Sequence, residues 1–317
     1  MVQFILVGIA AGLASALVFA SIASGSALSI PLFYLAPLPV LIAAMGWGHV
    51  SGLIAAGVAA LGLGIAFGKM LFLVFLIGVG LPAWWLGYLA LLARPVTNGA
   101  PDHLEWYPAG RLVIWAALIG SLVVFGVIIR FGFDAESVHA GLRRALEALF
   151  QVRNADGAGA PGVAELREFI DWLAVWLPRL GAIPTILASL FNLWLAARIV
   201  SASGRLKRPW PDISAITFPS WVPLLLAAVI AGTFMPGLLG MMSWVLTASL
   251  FTAYMLLGFA VLHATTRPLN GRIFILGASY LSVMLFRWPA LAVALIGLVD
   301  AALDIRGRIA RMRANST

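Results

Sequence analysis

Apolar blocks, each about as long as a membrane-crossing helix, fill most of this chain and are parted by short cationic bends. The densest bend is residues 198–208, where Arg198, Arg205, Lys207 and Arg208 fall within eleven residues, followed by Pro209-Trp210-Pro211. The chain is 62% hydrophobic and 10% charged, with mean hydropathy +1.04, whereas soluble domains carry about 25% charged residues. A soluble core has no room for that much apolar surface, so lipid must solvate much of it. The blocks are rich in Gly, Ala, Leu and Trp and do not alternate with period two, which points to helices and away from an outer-membrane barrel.

The expected fold is therefore all-α: a polytopic transmembrane helical bundle of eight spans, a short C-terminal helical hairpin and an amphipathic extracytoplasmic insert. The spans are expected at residues 3–22, 32–47, 50–67, 70–92, 112–129, 180–197, 218–235 and 238–263. The hairpin arms are expected at 273–286 and 290–303, parted by Arg287-Trp288-Pro289. Three domains follow: an N-terminal membrane bundle (1–129), the insert (130–179), and a C-terminal membrane bundle with hairpin and basic tail (180–317). The N-terminus lacks a basic n-region and reads as a retained first span. Within the insert, Val138, Leu142, Leu146, Leu149 and Phe150 share one helical face. Leu166, Phe169, Ile170, Leu173 and Leu177 share another. Residues 154–162, rich in Gly and Ala, link the two. Such helices lie at the interface or cap a bundle.

Net charge is +8 and there is no Cys. The cations sit at helix ends rather than on a base-reading face, so no nucleic-acid role is expected. His49, His103, His139 and His263 lack metal-ligand spacing, and no nucleophile, zinc or phosphate-loop motif is present. The expectation is a non-enzyme with no cofactor and no metal, whose partners are the lipid bilayer and an unknown small molecule. In the loop after the fourth span, Asp102, His103 and Glu105 read as a solvated turn or helix cap before a catalytic cluster.

Three groups of residues stand out. Pro31, Pro37 and Pro39 interrupt the second span, and broken helices either line cavities or pack as kinks. Tyr34 beside that break, Asn192 at depth in the sixth span and Tyr254 in a hydroxyl-rich eighth span are the substrate-binding candidates. Asn192 is either interhelical glue or a ligand contact, and glue is the commoner role. In the first span, Gly8, Gly12, Ala16 and Ala20 recur every four residues, with Ala10 and Ala14 as a second row. Such rows allow close helix approach, within the chain or to a separate subunit. Asp300 and Asp304 share a helix face near Arg306; an ion-paired helix end is favoured over a proton or cation relay.

The segments Gly258-Phe-Ala-Val-Leu-His263 and Gly297-Leu-Val-Asp300-Ala-Ala-Leu-Asp304-Ile-Arg306 resemble the C-terminal pattern of the YybS-like family of uncharacterised bacterial membrane proteins. That family resembles the substrate-binding S subunits of energy-coupling-factor transporters. The resemblance implies solute binding, and makes the first-span rows a counterpart of the face that docks a membrane coupling subunit. This chain has more spans and a larger insert than those subunits. The expected function is binding or transport of a small solute; the alternative is a non-enzymatic scaffold or regulatory protein that recruits partners.

Lys/Arg bias in short loops sets orientation. With residues 198–208 inside a bacterial inner membrane, the cations at 94 and 111, at 267 and 272, and in the tail from 306 to 313 all fall inside. Both termini are then cytoplasmic and the insert lies outside. Tags placed on each terminus should both resist protease added from the periplasmic face; cleavage of one alone would overturn the even count.

Overall fold

The structure is a computed structural model that describes residues 2–26, 28–95, 104–150, 163–286 and 288–308. Asp102, His103, the 154–162 linker, Arg287, Arg311 and Arg313 lie outside the described residues. Helices dominate. Contacts divide the chain into two compact units, Met1–Ala116 with Thr185–Thr217, and Ala117–Pro184 with Phe218–Thr317. Residues 185–217 group with the N-terminal helices, and the insert groups with the C-terminal ones, because two long helices each run from one unit into the other.

In the first unit, α1 (Val2–Ala20) is followed by a 3-10 turn at Ser21–Ser24, then α2 (Ser29–Leu35) and α3 (Pro37–Trp47) in series. Next come α4 (His49–Phe67), α5 (Lys69–Phe75), a π-turn at Leu76–Gly80 and α6 (Leu81–Ala90). Small residues bring these helices together. A methyl on Gly52 would collide with Ala44 of α3, and one on Gly87 of α6 would meet the same Ala44 at 2.9 Å. Phe19, Ala36, Ala59, Ala60, Leu63 and Phe75 form a buried core, with the Phe19 and Phe75 rings edge to face at 5.2 Å. The polar loop after α6 contains a short ribbon, β1 (Ala93–Pro95) antiparallel to β2 (Leu104–Trp106). Glu105 there pairs with Arg94 at 2.7 Å on an exposed surface, a contact worth little in water.

α7 (Ala109–Phe131) and α10 (Ala182–Ala202) are the two helices shared between units. The second unit adds α8 (Ala135–Leu149), α9 (Val163–Leu180), α11 (Val222–Gly232), α12 (Gly237–Thr265), α13 (Arg272–Leu285) and α14 (Trp288–Leu303). Asp134 caps α8 by accepting from the Ser137 amide at 2.8 Å. Hydrogen bonds from Ser137 hold its carboxyl below the usual range. The expected apolar faces of α8 and α9 are only partly covered. Val138, Leu142 and Ile170 are buried, while Leu149, Phe150, Phe169 and Leu177 are exposed. Exposed Phe150, Phe169, Trp172 and Trp176 instead form a run of neighbouring rings, the composition suited to a headgroup layer.

Seven helical stretches among the described residues are long and apolar enough to cross a membrane. The span expected at 218–235 is not one of them. α11 has 11 residues, about 16 Å at 1.5 Å per residue, against a hydrocarbon core of about 30 Å. Its shortness has a local cause. Pro223 opens the helix, the Thr233 amide closes back onto Val229 and Ile230, and Pro236 with Gly237 at φ 69° redirects the chain. The hairpin parts between Leu285 and Trp288, where sequence places the interruption.

α12 is the most enclosed of the long helices and crosses α14 at glycines. A methyl on Gly258 would collide with the Val293 carbonyl, and one on Gly297 with the Tyr254 carbonyl. Gly258→Ala or Gly297→Ala should cost about 1–3 kcal/mol or more, because backbone cannot yield as a side chain can. The readout is a lower midpoint of thermal unfolding in detergent. Gly277→Ala on α13, where a methyl meets nothing within 4 Å, should be neutral or raise the midpoint.

Candidate functional site

The break between α2 and α3 is the most elaborate polar feature of the first unit. Pro37 and Pro39 lack the N–H groups that would serve carbonyls four residues earlier. Two neighbouring carbonyls receive side chains from other helices. Ser15 of α1 donates to the Ala36 carbonyl at 2.5 Å, and Asn192 Nδ2 of α10 donates to the Tyr34 carbonyl at 2.8 Å. Asn192 Nδ2 also bonds the Ala188 carbonyl of its own helix at 2.7 Å. Its Oδ1 is buried with no protein partner. Asn192 is 1% exposed and Tyr34 38%, so an unserved acceptor lies beside a break whose tyrosine reaches the surface. An unserved buried acceptor costs about 1–3 kcal/mol, and such orphans mark places where something else is bound or stored.

Of the three residues expected to bind substrate, Tyr34 and Asn192 thus meet in the first unit. Tyr254 belongs to the second. Its ring packs against Phe218 at 5.4 Å, and its hydroxyl is buried without a protein partner, as is that of Thr247 two turns earlier. The neighbouring hydroxyls are occupied. Ser249 bonds the Val245 carbonyl and receives Ser121 of α7 at 2.7 Å, and Thr252 bonds Ala248.

The first-span row faces inward. Gly8 and Gly12 are buried against α4, where a methyl on Gly8 would meet Ile54 at 2.8 Å and one on Gly12 the Ala55 carbonyl at 2.7 Å. Ala16 and Ala20 border the Phe19 core. The second row, Ala10 and Ala14, is exposed beside Leu6, Leu13 and Leu17.

At the end of α14, Asp300 accepts two bonds from Arg306 through Oδ2, at 2.9 Å from Nε and 2.7 Å from the terminal nitrogen. The Arg306 amide bonds Oδ1 at 3.1 Å. Side-chain exposures of 3% and 15% make this a largely desolvated pair. Asp304 sits at φ 49°, closing α14 in the left-handed conformation usual for glycine, and its carboxylate accepts from the Gly307 amide.

A match to the family described as "Predicted membrane protein (DUF2232)" covers residues 12–301. The chain belongs to that family. No curated protein and no solved structure matches it. Of the two segments on which a resemblance rests in sequence, Gly258–His263 lies wholly within the matched residues and Gly297–Arg306 does so as far as residue 301; they meet at the α12–α14 crossing.

Sequence reasoning missed one cluster. Tyr280 of α13 stacks on Phe259 at 4.2 Å and shares a 3.0 Å hydrogen bond with His263 Nε2, whose Nδ1 lies 3.4 Å from Arg272. α13 has no buried residue, so this stack is its main tether to α12. A lone His and a lone Tyr gave no signal because their pairing needs the turn between helices. Among the described residues no group of three His, Asp or Glu is placed to hold a metal.

Asp300→Asn should lower stability by about 3–5 kcal/mol, since it removes the buried carboxylate that pairs with the Arg306 guanidinium. The double variant Asp300→Leu with Arg306→Met should recover most of that loss. Thermal unfolding of the single and double variants closes the cycle.

Proposed function

We propose that this membrane protein binds or moves a small solute, and that the α2–α3 break with Asn192 is part of the binding region. The observation that carries this reading is the buried, unserved Asn192 Oδ1 beside the Tyr34 carbonyl. Interrupted helices supply unpaired backbone groups to solutes in membrane transporters, and orphaned polar atoms cluster where a ligand completes the hydrogen bonding. The π-turn in the α5–α6 helix adds a second local irregularity of the kind found at functional sites. The resemblance to transporter S subunits read from the sequence would imply the same class of ligand, a small solute. A chain oriented with both ends in the cytoplasm would present the Ser21–Ser24 turn and the insert to the side from which solute arrives.

The second reading is a scaffold. Its support is the exposed strip of α1 formed by Leu6, Ala10, Leu13, Ala14 and Leu17, flat enough for another helix.

Thermal-shift screening of purified protein against vitamins, nucleobases, lipids and metal ions separates the two. A solute that raises the midpoint should lose about tenfold in affinity with Asn192→Leu and less with Tyr34→Phe, which keeps the backbone carbonyl. A screen with no shift, together with a co-purifying membrane subunit lost on Ala10→Phe, would replace solute binding by scaffolding.

A further inference from the structure

The face of α10 pointing away from its neighbours has an order that the solute reading does not use. Leu187, Phe191 and Trp194 are 39%, 51% and 45% exposed. At spacings of four and three they line one side of the helix. Phe191 and Trp194 are in ring contact at 5.9 Å. The next residue on that line is exposed Arg198, and an open depression of about 450 Å³ is lined by Arg198, Ile199, Ser201 and Ala202. An apolar lane thus runs along the helix into a cationic, hydroxyl-bearing hollow.

The cation that lines the hollow, Arg198, and its sequence neighbour Arg205 are held by rings rather than by acids. The Arg198 guanidinium lies over the Trp210 ring at 5.3 Å and that of Arg205 over Trp47 at 4.7 Å. Stacking on a ring face fixes a guanidinium while leaving its edge N–H groups free to donate. Neither arginine has a carboxylate partner among the described residues. Asp212, the acid nearest in sequence, commits Oδ1 to the Ser214 amide and hydroxyl. Arg208 is turned inward, donating to the Ala90 carbonyl at 3.0 Å, and burial lowers its pKa.

A helix C-terminus ordinarily repels anions through its bare carbonyls. Here the amides of Ser203, Gly204 and Arg205 bond the carbonyls of Ile199, Ser201 and Val200 at 3.0–3.1 Å. Gly204, at φ 69°, makes that return possible. Three of the terminal carbonyls are thereby covered beside the Arg198 cation.

We propose that this lane and hollow form a binding site for one anionic phospholipid, its acyl chain along Leu187, Phe191 and Trp194 and its phosphate against Arg198 and Ser201. A lipid is favoured over a free phosphate because the apolar lane leads directly into the cationic end. Basic hollows of this kind select anionic headgroups.

The test uses the full-length protein, delipidated in detergent and titrated in native mass spectrometry with phosphatidylglycerol or phosphatidylcholine of identical chains. Wild-type protein should retain phosphatidylglycerol preferentially. Arg198→Gln should lower retention about fivefold, the factor for one cation near an anionic surface. Trp194→Ala should weaken both lipids together. Arg198→Lys keeps the charge and should keep the preference, which covers the case where Arg198→Gln fails to fold. Equal loss in Arg144→Gln, a cation outside the lane, would overturn the site in favour of diffuse charge. Equal retention of phosphatidylcholine, or an equal thermal shift from inorganic phosphate alone, would also overturn it.

Discussion

In hydrocarbon a backbone polar group has no water to turn to, so each must be served from within the protein. That constraint is tightest at the α2–α3 break, where two prolines withdraw donors and helices α1 and α10 send in Ser15 and Asn192. Both side chains reach carbonyls far away in sequence, and both are buried. The break is thereby pinned between a helix from the beginning of the chain and one from its middle. The grouping of residues 185–217 with the N-terminal helices follows the same link.

The second unit meets the constraint differently. α12 turns two of its hydroxyls, Ser249 and Thr252, onto its own carbonyls, and approaches α14 by removing side chains at Gly258 and Gly297. The two segments whose pattern suggests a family likeness are therefore conspicuous for a structural reason. Gly258 and Gly297 are where backbones touch, and Asp300 with Arg306 seals the helix that makes the contact. Their spacing reports packing and capping, and only indirectly a ligand.

Much of the architecture was legible in the sequence because lipid imposes a simple code of length and hydropathy. The hairpin break, the broken second span and the two insert helices all follow from Pro, Trp and charge placement. The seventh expected span, at 218–235, is not among the long helices. Hydropathy counts apolar residues at 218–235, but Pro223 and the Thr233–Gly237 turn decide how many of them are helical. Tyr34 and Asn192 were singled out separately, one for a break and one for polarity at depth, and no sequence pattern says that they meet. The Tyr280–His263 pair and the Arg–Trp stacks were illegible for a similar reason, since each partner is ordinary until the chain has turned back.

The hairpin arms have one more consequence. With 14 and 16 residues they reach about 21 and 24 Å at 1.5 Å per residue. Were such a pair to cross a bilayer of ordinary thickness, a leaflet that dimples towards it is one way to close the mismatch. The protein would then carry its own patch of thinned membrane, a mechanical property of the lipid around it rather than of any side chain within it.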